Sequence, residues 1–250
     1  MSSKREREYE RRRVGKWQER QARAKAARHR RNIVVGSIAA AAVVIAAVVV
    51  VVAQSGSDSP TATLDYSPRT GNGGVLPAAA LAADRTWTGT ITTNRGDIPF
   101  ELDGAAAPQA VANFITLAAG GYFDMTKCHR LVTTGIHVLQ CGDPTATGTG
   151  GPGYSWGPIE NAPDDDVYPA GTMAMARQSG NGASMGSQFF LVYADSTIPS
   201  DSAGGYTVFG KVSTSGLDVL QAIADAGTVQ VTSDLSAPAS DVIIEGVETQ

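Results

Sequence analysis

Beyond its first 31 residues this chain is short of positive charge: residues 32–250 hold 7 Lys/Arg against 20 Asp/Glu, whereas residues 1–31 hold 13 Lys/Arg against 4 Glu. The modest formal charge of −4 is the sum of these opposed regions. The separation places the ends in different surroundings, the arm at an anionic surface and the acidic remainder in water, and argues against a nucleic-acid-binding domain. Histidine is equally scarce, and His29, His129 and His137 are too scattered to form a metal set. The Asp164-Asp165-Asp166 run lacks the spacing and glycine of a calcium loop. No Gly-Lys-Ser/Thr follows the glycines of 148–153, which excludes a phosphate loop. There is no internal repeat and no collagenous or coiled-coil period.

Residues 33–53, IVVGSIAAAAVVIAAVVVVVA, run for 21 positions without a charge. As a helix this run is about 31 Å long, enough to cross a bilayer. A cleaved export signal is the competing reading, since Val51-x-Ala53 fits a cleavage site. The run is longer than a usual signal core and its basic leader longer than a usual n-region, which favours an uncleaved anchor. The cations before it, with none between Asn32 and Pro68, put the N-terminus in the cytoplasm. The expected organisation is a basic cytoplasmic arm at 1–31, a transmembrane anchor at 32–53, a flexible extracytoplasmic stalk at 54–83 and a folded domain at 84–250. The expected location is therefore the cell membrane, crossed once.

From Thr86 the pattern becomes that of a folded β domain. TWTGTITTNRGDIPFELD reads as a hairpin about Asn94-Arg95-Gly96-Asp97. Pro108 opens a helix with Val111, Phe114, Ile115 and Ala118 on one face and Gly120-Gly121 as its stop. Strands are expected over 171–176, 187–193, 206–212 and 241–248, with a second helix over 215–227. Short strands with glycine-rich turns and two helices favour a closed or nearly closed barrel over a βαβ repeat. Residues 148–169 read as an ordered excursion over that barrel.

The stretch 127–154, KCHRLVTTGIHVLQCGDPTATGTGGPGY, concentrates the chemistry. Arg130 stands in an apolar strand, where an unpaired guanidinium is expensive, so it is held by partners, lines a pocket or points outward from an edge. Gln140 on the next strand would share its surface, and the two together could grip a peptide backbone. If Arg130 opposes Gln140, Cys128 lies close to register with Cys141. An even pair on the oxidising side of a membrane favours a disulfide, with buried reduced thiols or a redox-active pair as the rival readings. His129, by strand alternation, faces away from Arg130.

The segments CHRLV, LQCGDPTATGTGGPGY, GTMAMA, GSQFFLVY and YTVFGKV, in that order, resemble the cyclophilin-type peptidyl-prolyl cis-trans isomerases, specifically a membrane-anchored actinobacterial form. The resemblance covers roughly residues 84–248. It implies a mainly β, closed eight-stranded antiparallel barrel capped by two α-helices, here preceded by a single transmembrane helix. It also implies an enzyme that rotates X-Pro bonds and needs no cofactor. Arg130 matches the family's catalytic Arg and Gln140 the Gln before its Gly-Asp step. Phe190 matches the floor of the proline pocket, Val138 and Ile198 its apolar walls, and Ala176 and Gln188 the peptide groove. The expected partners are proline-containing segments of exported proteins and the membrane, with no nucleic acid.

Two departures bear on specificity. The family's Pro-Gly-Phe is replaced by Thr133-Thr134-Gly135-Ile136-His137, two residues longer, which places His137 at an aromatic position of the pocket or at its rim. Thr197 and Tyr206 stand where Trp and His are usual, which alters substrate preference and affinity for a cyclosporin-like ligand. The alternative function is an extracytoplasmic peptide-binding chaperone with little or no isomerase activity.

Overall fold

The computed structural model describes residues 74–232 and 235–250. The basic arm, the apolar run and residues 54–73 of the expected stalk lie outside the described residues. Among the described residues no helix is long and apolar enough to cross a membrane. In chain order the elements are a 3-10 turn Ala79–Ala82, β1 Thr86–Thr93, β2 Gly96–Asp103, α1 Pro108–Ala119, β3 Thr126–Lys127, β4 Arg130–Val132, β5 Val138–Cys141, β6 Val167–Tyr168, β7 Thr172–Met175, β8 Phe189–Val192, β9 Ser196–Thr197, β10 Val208–Val212, α2 Thr214–Asp225, β11 Thr228–Gln230, β12 Ser236–Pro238 and β13 Ile243–Thr249.

The β1–β2 hairpin forms where its alternation requires, with Ile98, Phe100 and Leu102 buried on one face of β2. Helix α1 begins at Pro108, which has no N–H to lose there, and is buried almost all round. Its N-cap Ala107 has no side-chain acceptor. Glu160 supplies one from fifty residues away, accepting from Gln109 N at 3.0 Å and Ala110 N at 2.9 Å. A carboxylate there satisfies two orphan donors and opposes the positive end of the helix dipole. Helix α2 is capped locally by Ser213, whose Oγ accepts from Gly216 N.

Nine strands form one antiparallel sheet in the order β3-β13-β1-β2-β10-β7-β8-β5-β4, and β6-β9 and β11-β12 form two small ribbons. The sheet has nine strands where eight were expected, and its order runs from β3 to β4. The end strands β3 and β4 are separated in the chain only by Cys128 and His129, so the sheet must curl to bring its ends together. Cys128 N donates to Val242 O on one side and His129 N to Gln140 O on the other, so this single segment is bonded towards β13 through β3 and towards β5 through β4. The domain is a mainly β, curled sheet with two helices.

Folded structure also begins before residue 84. Ala82 is fully buried, and Gln109 Nε2 donates to Pro77 O and Trp87 Nε1 to Ala82 O. Residues 75–83, expected to be stalk, are thereby tied to α1 and β1.

Strand alternation divides the apolar residues between two clusters. Inside the curl, Phe114 of α1 meets the rings of Phe100, Phe123, Phe189 and Phe209 at 5.1–5.6 Å between centroids. On the other face Val138, Tyr168, Ala174, Phe190, Val192 and Ile198 form a second, smaller cluster. Strand β8 is buried on both faces, Phe189 and Leu191 turning inward while Phe190 and Val192 turn to the second cluster.

Candidate active site

Register builds the site. Arg130 pairs with Gln140, Gln140 with Phe190, Phe190 with Ala174 and Ala174 with Val208, giving one row across β4, β5, β8, β7 and β10. Inward neighbours Leu131, Leu139, Cys141, Leu191 and Met173 belong to the main core, so the row's side chains stand on the outer face. A cationic fork thus lies at one end of a shallow apolar surface floored by Phe190. Tyr206 and Tyr168 flank that floor, with ring centroids 5.5 and 6.5 Å from Phe190. Val138 and Ile198 lie in the same cluster, and Ala176 and Tyr206 pack against it.

Of the residues expected to touch substrate, His137 stands apart. Its ring packs edge-on against Tyr193, 5.6 Å between centroids, while its N–H donates to Ser196 Oγ. Ile136 packs on the pocket cluster instead. The reason is the period of two: with Val138 facing the pocket, Ile136 shares its face and His137 turns away. Alternation therefore contained the signal for Ile136. Tyr168 lies in the excursion after 148, where no period marked it.

Arg130 Nη1 donates to Gln140 Oε1 at 3.3 Å, the one hydrogen bond of its guanidinium among the described residues. Burial holds its pKa below the ordinary arginine value, opposed by Tyr206. Arg177, by contrast, has every donor engaged. Its Nε binds Gly205 O, Nη1 binds Gln178 O and Asp201 Oδ2, and Nη2 binds Asp201 Oδ1 and Gly204 O. Its guanidinium lies 4.6 Å from the Tyr206 ring centroid. Arg130 is therefore the cation with N–H groups to offer a ligand, and Arg177 is a strut for Tyr206 and the 201–205 turn. The bond from Arg177 leads the causes that hold the Asp201 carboxyl well below the usual carboxylate range.

Cys128 and Cys141 are joined, with Cα atoms 4.0 Å apart, so the pairing expected from sequence is present. The bridge ties the strand ends carrying Arg130 and Gln140. Among the described residues no group of His, Cys, Asp or Glu is arranged to hold a metal ion.

The sequence matches the family described as cyclophilin type peptidyl-prolyl cis-trans isomerase/CLD over residues 88–249, well over half of the chain. The chain is a cyclophilin-family protein. It is 41% identical over 191 residues to a probable peptidyl-prolyl cis-trans isomerase B of Mycobacterium leprae, covering 72% of this chain and 60% of that relative. It therefore spans less than two thirds of that relative's length. A Helicobacter pylori peptidyl-prolyl cis-trans isomerase is 40% identical over 147 residues, covering 58% of this chain and 85% of its own. Among solved structures, a cyclophilin of Cryptosporidium parvum superposes with a TM-score of 0.56 at 29% identity, covering 66% of this chain and 98% of that one. The same parasite cyclophilin, crystallised in the presence of the dipeptide Ala-Pro, gives 0.55 at 31% identity over 65% of this chain and 98% of its own.

Behind the cyclophilin row lies a buried imidazole. His129 is 3% exposed and neither ring nitrogen has a hydrogen-bond partner among the described residues. Burial pushes its pKa below the ordinary 6.5, Arg130 adds to that, and Asp143 opposes it. The unfolded chain then takes up a proton near pH 6.5 that the folded chain takes up only at lower pH. Stability is full above that value and falls as pH drops through it. The denaturation midpoint should decline between about pH 7.5 and about pH 5.5, and His129→Phe should flatten that slope. An unchanged slope in a folded variant would move the effect elsewhere. The carboxyls of Asp143 and Asp201, both held below their ordinary 3.8, titrate outside this window.

Proposed function

We propose that the chain is a peptidyl-prolyl cis-trans isomerase that takes proline-containing segments on the outer face of its sheet. The observation that carries this is the row in which Arg130, with N–H groups to spare, and Gln140 stand beside the Phe190 floor. Peptide rotation is slow because C–N conjugation sets a barrier of about 18–20 kcal/mol, while the two X-Pro isomers lie close in energy. No nucleophile or cofactor is required; binding the twisted state more tightly than either planar isomer is enough.

The pyrrolidine ring fits the apolar cluster of Val138, Phe190, Ile198 and Tyr206. As the bond twists, the imide nitrogen loses conjugation and its lone pair becomes a hydrogen-bond acceptor. Arg130 donates to it, and Gln140 orients the guanidinium and the substrate carbonyl. The Ala-Pro dipeptide present with the Cryptosporidium relative supports an X-Pro ligand for this surface.

The reading extends to place. The 21-residue apolar run at 33–53 and the cationic arm before it support a single membrane anchor with the isomerase domain outside, acting on exported and cell-envelope proteins. In fractionated cells the intact chain should stay with membranes through alkaline washing; a mature form beginning near Gln54 in the medium would replace anchor with signal. The isomerase reading is tested by exchange between cis and trans signals of an X-Pro peptide with the full-length chain. Peptide binding with no acceleration of exchange would make the protein a chaperone instead.

A further inference from the structure

Asp143 lies outside the row, two residues after β5, yet it is fully buried. Its Oδ1 accepts from Thr145 N and Thr145 Oγ1, both at 2.7 Å, and its Oδ2 accepts from Gly148 N at 2.6 Å and Gly150 N at 3.0 Å. Burial pushes this carboxyl's pKa up, but the donors from Thr145, Gly150 and Gly148 together bring it below the ordinary value. One carboxylate thus gathers the whole 143–150 loop about itself. Gly150 has no alternative here, because a Cβ would stand 2.1 Å from Asp143 Oδ1.

The loop's shape has a polarity that travels to the guanidinium. Gly148 O and Gly150 O both accept from Gln188 Nε2, at 3.0 and 2.9 Å. Two carbonyls can be faced only by an NH2 group, so the Gln188 amide has one permitted orientation. Its Oε1 is then left to accept from Gln140 Nε2 at 2.8 Å. That bond in turn directs Gln140 Oε1 to Arg130 Nη1. With the loop carbonyls displaced, either amide is free to flip and present NH2 to a cation that can only donate.

We infer that Asp143 is a positioning residue for isomerisation: by folding the 143–150 loop it sets the orientation of the Gln188 and Gln140 amides and, through them, the aim of Arg130. The inference rests on the isomerase reading for its kinetic consequence, but its structural consequence stands apart from it. Asp143 touches no substrate. Its effect should appear in turnover more than in ground-state affinity, since the Arg130 contact strengthens as the bond twists.

The test uses Asp143→Asn, which keeps the volume while replacing one acceptor oxygen by a donor, in the full-length chain. Turnover should fall roughly 10-fold or more with KM changed by less than about 2-fold, as expected for a misaimed group. Gln188→Met, which cuts the relay at its middle, should produce a similar loss, and Asp143→Asn should add nothing in that background. The side-chain 15N resonances of Gln140 and the Nε–H of Arg130 should shift in both variants whether or not the parent is an isomerase. If Asp143→Asn does not fold, Thr145→Ala removes one donor to the same carboxylate and should shift those resonances in the same direction by less. Unmoved Gln140 and Arg130 resonances in a folded variant, or kinetic losses that multiply in the double mutant, would overturn the relay. A silent parent with shifted resonances would instead overturn the isomerase reading and leave the relay standing.

Discussion

Arg130→Ala should lower kcat/KM for X-Pro isomerisation by roughly 10²–10³-fold, the usual consequence of removing a donor aimed at developing charge in a transition state. The fold should survive, because the guanidinium makes one long side-chain bond and stands on the outer face of β4. Arg130→Lys should fare little better. A lysine keeps the charge but loses the planar fork that lets one N–H hold Gln140 while another faces the imide nitrogen. Circular dichroism and a denaturation curve on each variant separate chemistry from folding; near-parental turnover in either folded variant removes Arg130 from the role.

The opposite pattern is expected at Phe114. Its ring is the hub of the interior, meeting four other aromatic rings, and is 1% exposed. Phe114→Ala should cost about 3–5 kcal/mol of unfolding free energy, combining lost burial with a cavity that stiff neighbours cannot fill. Urea denaturation measures it. At a temperature where the variant is still folded, activity per folded molecule should stay near that of the parent, because Phe189 separates this ring from Phe190 by turning inward while Phe190 turns outward. A loss below about 1 kcal/mol would mean that the helix repacks around the gap.

These two sites differ in how legible they were. The hairpin at 86–103, both helices and the principal strands carry periods that local rules read, whereas the Arg130–Gln140 pairing is only a condition in the sequence and is supplied by the structure. Phe190, Val138 and Ile198 were placed by motif resemblance, and the structure collects them into one cluster. Other features depend on contacts no local pattern encodes. The Glu160 cap on α1 comes from a distant loop, and the packing of residues 75–83 depends on Pro77 and Ala82 meeting α1 and Trp87.

Local geometry decides other points that the sequence leaves open. The two end strands of the sheet belong to one segment, 126–132, bonded to β13 on one side and to β5 on the other, a relation that no strand-by-strand period encodes. Counting along a lengthened loop leaves His137 either in the pocket or at its rim, whereas alternation from Val138 turns Ile136 to the pocket cluster. Arg177 illustrates a different limit: sequence shows a cation in a glycine- and serine-rich region, and only the structure shows all five of its N–H groups consumed, with Tyr206 resting against it.

On the proposed function, the row from Arg130 to Phe190 accelerates rotation about X-Pro bonds. Exchange spectroscopy on an Ala-Pro peptide, with catalytic amounts of the full-length chain, measures that acceleration directly. Cross-peaks between cis and trans signals should appear with the parent and nearly vanish with folded Arg130→Ala. Exchange no faster than in protein-free solution, from parent protein shown to be folded and to bind the peptide, would contradict the claim.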